Sequence, residues 1–133
     1  MVATKLTTSG ITQMATDLYA AAAGKWKYVM WGIGTTDPVI ANTTMETLTG
    51  CTEAARGTCT ITNPSAGLYT AVGSLTCNAT GKTISEAGLF DTVGAGGPPV
   101  TGGILLIRGT FTGIPVVQND VIQFTFNLTY TTS

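Results

Sequence analysis

The chain reads as a mainly β protein, an antiparallel β-sandwich or jelly-roll-like domain with one N-terminal amphipathic helix and an extended N-terminal arm. Two observations predict this class. From Lys25 onward, runs in which large apolar and polar residues alternate with period two are separated by clusters rich in Gly, Pro, Asn and Asp. No helical pattern stands between successive strands, so the βαβ alternation of a parallel sheet is missing.

Residues 1–9 (Met1 to Ser9) are polar and Thr-rich and predict an arm that orders only against a neighbouring molecule, because they hold too little apolar area to fix themselves. In Ile11, Met14, Ala15, Leu18, Ala21 and Ala22 apolar positions recur at helical spacing. Ser9 can cap the start and Gly24 the end, which predicts a helix over 11–23. Trp26, Tyr28 and Met30 then alternate with Lys27, Val29 and Trp31, a strand with large side chains on both faces. Gly32, Gly34 and Asp37-Pro38 break it. Thr43-Thr44-Met45-Glu46 has the Thr-x-x-Glu form of a capping box and predicts a short helical turn before Gly50.

Further strands are expected at Arg56–Asn63, Gly67–Thr80, Thr83–Phe90, Ile104–Thr112 and Val121–Tyr130. In the last, Ile122, Phe124, Phe126, Leu128 and Tyr130 share one face, and Gln123, Thr125, Asn127 and Thr129 share the other. With 133 residues and no internal repeat, residues 10–133 are expected to form one domain behind the arm.

Charged residues make up 10% of the chain, against roughly 25% in an average soluble domain, and mean hydropathy is +0.32. A membrane span does not account for this, since the longest apolar runs, such as Ile104-Leu105-Leu106-Ile107, fall far short of the roughly 20 residues needed. With two tryptophans the chain also lacks the aromatic girdles of an outer-membrane barrel. A surface covered by protein partners explains the composition better. Self-association is therefore expected, with the 11–23 helix and Met1, Val2, Lys5, Leu6, Trp26 and Trp31 as candidate interface residues.

The six basic residues (Lys5, Lys25, Lys27, Lys82, Arg56 and Arg108) form no stripe, which argues against nucleic acid as a partner. The N-terminus has no secretory apolar core, so synthesis in a reducing cytoplasm is expected. Cys51, Cys59 and Cys77 are odd in number, and without histidine they lack the usual fourth zinc ligand, so they are read as free thiols, with a Cys51–Cys59 bridge in an oxidising setting as the alternative.

The absence of histidine also removes the Ser-His-Asp and Cys-His arrangements, and the seven carboxylates (Asp17, Asp37, Glu46, Glu53, Glu86, Asp91 and Asp120) are dispersed. Gly81-Lys82-Thr83 ends like a phosphate-binding loop, but Thr76 stands where the motif needs its first glycine and no helix pattern follows. A hairpin turn is the better reading. Neither an enzyme nor a cofactor is expected.

Three stretches carry a resemblance. They are Ile84-Ser85-Glu86-Ala87-Gly88-Leu89-Phe90-Asp91, then, past a Gly-rich loop, Gly103-Ile104-Leu105-Leu106-Ile107-Arg108-Gly109-Thr110-Phe111, and Val121-Ile122-Gln123-Phe124-Thr125-Phe126-Asn127-Leu128. Tyr28-Val29-Met30-Trp31-Gly32-Ile33-Gly34-Thr35-Thr36 is similar to the opening strand of the same pattern. Together they resemble structural proteins of tailed bacteriophages over about residues 25–130. The resemblance implies a capsid decoration or cement protein on the capsid exterior, bridging neighbouring copies of the major capsid protein, often as a homotrimer. Tail-fibre, baseplate and adaptor modules carry a similar stretch, so an attachment role is the alternative; the short chain favours decoration. Pro98-Pro99 and the cysteines depart from the pattern.

Glu86 and Arg108 are each the only charge inside an otherwise apolar and small-residue strand, which marks them as a candidate structural ion pair. The phase of Arg108 with Thr110 and Thr112 leaves open that each faces solvent separately.

Overall fold

The computed structural model describes Thr7 and residues 26–46, 55–65, 67–78, 80–97 and 100–129. Among the described residues seven strands run in the order β1 (Tyr28–Gly32), β2 (Gly57–Thr58), β3 (Thr60–Ser65), β4 (Leu68–Thr76), β5 (Thr83–Phe90), β6 (Leu105–Pro115) and β7 (Val121–Thr129). They form a four-stranded sheet in the order β2-β1-β5-β6 and a three-stranded sheet in the order β3-β4-β7. Every pairing is antiparallel. The expected 11–23 helix and most of the expected arm lie outside the described residues.

Alternation builds the space between the sheets. From β4, Tyr69, Ala71 and Leu75 are buried, and from β7, Phe124 is buried while Ile122, Phe126 and Leu128 are half-buried. Gln123, Thr125, Asn127 and Thr129 are exposed, as the period-two pattern of this strand requires. The other sheet contributes Val29, Trp31, Ile84, Ala87 and Leu89 to the same cluster. Each fully buried Leu, Ile or Val stabilises by about 1.5–3 kcal/mol relative to exposure.

The four-stranded sheet is covered on its outer face as well. Met30, Phe90, Met45 and Val100 form a second cluster there, under the loops that follow β1 and β5. This is why seven of the eight residues of β5 are buried, where a one-sided strand would bury every second one.

The expected strand Arg56–Asn63 divides at Cys59. β2 pairs with β1 and β3 pairs with β4, so the chain passes here from one sheet to the other. The crossing needs close approach: a Cβ at Gly73 would lie 2.6 Å from Cys59 Sγ. Burial pushes the Cys59 thiol up to about 11, which keeps it protonated near neutral pH and unreactive.

The expectation of three free thiols holds for Cys59 alone among the described cysteines. Cys77 is disulfide-bonded, and Cys51 lies outside the described residues.

The helical turn read from Thr43 to Gly50 is not present in its described part: residues 44–46 are not helical. Glu46 has stronger local partners than a cap would give it, since its carboxylate accepts from Thr36 N and Thr36 Oγ1.

Trp31 is not a contact surface of the free chain. It is fully buried and packs edge-to-face on Phe124, with ring centroids 6.3 Å apart. Trp26 is half-buried, and its carbonyl accepts the Tyr69 hydroxyl. Met1, Val2, Lys5 and Leu6 lie outside the described residues.

Candidate functional site

β5 supplies Glu86 and β6 supplies Arg108. In the ladder Glu86 stands opposite Thr110 and Gly88 opposite Arg108, so the two charges are diagonal neighbours on the outer face of the sheet. Arg108 Nε donates to Glu86 Oε2 at 2.8 Å, and the side chains are 3% and 0% exposed. The structure thus brings together the two residues marked by their isolation in the sequence.

The loop after β1 folds over this pair. Glu86 Oε1 accepts from Gly34 N at 3.0 Å and Oε2 from Glu46 N at 3.1 Å. Arg108 Nη1 donates to Asn42 Oδ1 at 3.2 Å, and Nη2 donates to Thr36 O and Glu46 Oε2, both at 3.1 Å. Ser85 Oγ donates to Gly34 O at 2.8 Å. Gly34 is required for proximity, because a Cβ there would sit 2.7 Å from Glu86 Oε1.

These bonds satisfy charges that would otherwise be buried at a cost of several kcal/mol each. Hydrogen bonds from the Thr36 side chain and backbone hold the Glu46 carboxyl below its ordinary value; desolvation opposes them by more than the pull of Arg108 adds.

The same network fixes an apolar tip. Asn42 closes a turn, accepting from Val39 N through its side chain and donating its own N–H to Val39 O. Within that turn Val39 is 60% exposed and Ile40 is fully exposed. Beside it lies a shallow depression of about 370 Å³ lined by Thr36, Asp37, Val39, Asn42, Glu46 and Arg108. The arrangement can present an apolar side chain in a fixed position. Its carboxylates and guanidinium are engaged with one another, so proton transfer is not a role this geometry prepares. Among the described residues no group of three His, Cys, Asp or Glu can hold a metal.

Arg56 is a second buried cation, which sequence reading counted only among the scattered basic residues. Its guanidinium carbon stands 3.6 Å from the centroid of the Phe90 ring, and Nη1 donates to Thr92 O at 3.0 Å. Nε has no hydrogen-bond partner. Burial lowers its pKa, and nearby Asp91 opposes the shift. The available signal was the one that marked Arg108, a single charge in a run of small and apolar residues.

In comparisons with known proteins, no family model, no curated protein and no solved structure matches this chain.

Proposed function

We propose that this chain is a virion structural protein of a tailed bacteriophage, a β-sandwich capsid decoration protein that docks on the outer shell and bridges neighbouring capsomers. The observation that carries the reading is the Val39-Ile40 tip, a wholly exposed isoleucine on a loop whose base is fastened to the sheet through the buried Glu86–Arg108 pair. A loop held this firmly loses little conformational entropy on docking, and a buried apolar anchor is the usual centre of a protein interface.

Further support comes from composition. Only 10% of the chain is charged, and Val93, Ile104, Ile114, Val117 and Val121 are also exposed, so much of the surface suits contact with protein. The stretches that resemble phage structural proteins fall on β1, β5, β6 and β7, and β1 and β5 supply residues to both clusters. A disulfide at Cys77 also suits a protein used on a particle exterior.

The test is add-back. Purified protein is mixed with shells that lack it, and bound copies are counted by quantitative mass spectrometry. The reading expects saturable binding at many copies per shell, lost in Ile40→Asp with the fold intact. Binding confined to a few copies on tails would replace decoration by an attachment role, and no binding to particles would end both.

A further inference from the structure

The loop over residues 33–46 carries Asp37 and Glu46 and no lysine or arginine. Beneath it Arg108 is shared between Glu86 and Glu46, so one guanidinium answers two carboxylates. Asp37 stands outside that network. It is exposed, and among the described residues its side chain makes no hydrogen bond or ion pair. Two uncompensated negative charges therefore collect beside the Val39-Ile40 tip, in a chain whose net charge is only −1. On a surface this poor in charge, such a concentration orients a partner of opposite sign.

Shape agrees with charge. Asp37 and Glu46 line the depression of about 370 Å³ together with the exposed Thr43 and Thr44, and the Arg108 side chain in its wall is 3% exposed. A water molecule takes up about 30 Å³ of liquid, so this space suits a whole side chain rather than a single water or ion. Glu46 stays ionised near neutral pH, because its hydrogen bonds hold the carboxyl below its ordinary value. Carboxylates accept hydrogen bonds and cannot donate them, and a guanidinium supplies donors in a plane that matches a carboxylate side-on. The stem of an arginine would lie against Val39 and Ala41, which line the same space.

We propose that the protein surface which receives the Val39-Ile40 tip presents an arginine to this depression, where it pairs with Asp37 and Glu46 while Ile40 is buried beside it. This rests on the docking reading of the tip and adds the chemistry of the partner, an apolar socket with a basic rim. The apolar contact supplies most of the affinity, and the charge pair sets orientation and salt dependence. Tip-to-tip contact between two copies of the chain is disfavoured by the same charges.

The test is binding of the full chain and three variants to shells that lack it, at low salt and at about 0.5 M NaCl, where screening shortens to a few ångströms. Asp37→Asn keeps the shape and removes the charge. It should bind about tenfold more weakly than the parent at low salt and nearly as well at high salt. Asp37→Lys should lose about a hundredfold or more at low salt. Ile40→Ala should weaken binding about equally at both salts, because salt does not screen an apolar contact. Amide spectra check that each variant is folded, as expected where the replaced side chain is exposed. Equal binding of the parent and Asp37→Asn at both salts would overturn the basic rim and leave the docking tip standing. Binding lost on adding EDTA would also overturn it, by assigning the depression to a divalent cation. Failure of the parent to bind shells at either salt would end the docking reading and this inference with it.

Discussion

Arg108 and Arg56 are both buried against the outer face of the four-stranded sheet, and they are accommodated in opposite ways. Arg108 makes four hydrogen bonds, two of them to carboxylates. Arg56 lies flat on Phe90, makes one described hydrogen bond through Nη1, and leaves Nε without a partner. The first is held by direction and charge, the second by area and the quadrupole of a ring. The difference teaches what each side chain fixes. Arg108 ties a loop to two strands, whereas Arg56 covers an aromatic surface that another apolar group could cover.

The largest expected effect breaks the first arrangement. Glu86→Leu or Arg108→Met should each destabilise by about 3–5 kcal/mol, because the partner left behind is a buried unpaired charge. The double replacement should cost less than either single one, and chemical denaturation of all four proteins measures this. Additive losses below about 0.5 kcal/mol would place both residues in the class of ordinary surface sites.

At Arg56 the effect should be smaller and should depend on shape. Arg56→Ala should cost about 1–2 kcal/mol through the lost ring contact and hydrogen bond. Arg56→Met keeps a long stem over Phe90 and removes the unpartnered Nε, so it should stay within about 1 kcal/mol of the parent. If methionine proves as damaging at 56 as at 108, the contrast between the two sites fails.

Glu46, at the exposed margin of the Arg108 network, sharpens the comparison with the smallest effect. Its folded pKa is lowered, so its contribution to stability is present above the ordinary value of 4.5 and is lost as pH falls through the depressed folded value. NMR titration should find the Glu46 carboxyl changing below 4.5 with the Thr36 amide following it. Glu46→Gln should abolish that response, loosen amide exchange at Thr36 and leave the global unfolding transition nearly unmoved. A Glu46 midpoint at or above 4.5 would show that Thr36 and Arg108 do not hold it.

Several elements were legible from local pattern because their causes are local. β5 occupies Thr83–Phe90 and β7 nearly all of Val121–Tyr130, since alternation and turn residues specify both. The isolation of Glu86 and Arg108 in apolar strands pointed to the pair, because an unpartnered charge there would be costly. The division at Cys59 was not legible. Arg56 to Asn63 alternates without a break, and what parts it is the close passage of Cys59 over Gly73, many residues away in sequence. Glu46 carried the signature of a helix cap yet serves Thr36 and Arg108, whose proximity depends on the whole loop folding back.

The sequence by itself determined the mainly β class and the inward face of β7, and it marked Glu86 and Arg108 as a candidate pair while leaving open that each faces solvent, because side-chain period and desolvation act on every residue wherever the chain goes. Only the tertiary structure decided that β5 is covered on both faces, that Trp31 is core, that Gly34, Thr36, Asn42 and Glu46 converge on one ion pair, and that Arg56 rests on Phe90. Those outcomes depend on strand register and on which loop lies over which sheet. Both are set by the sum of long-range contacts rather than by any local run of residues.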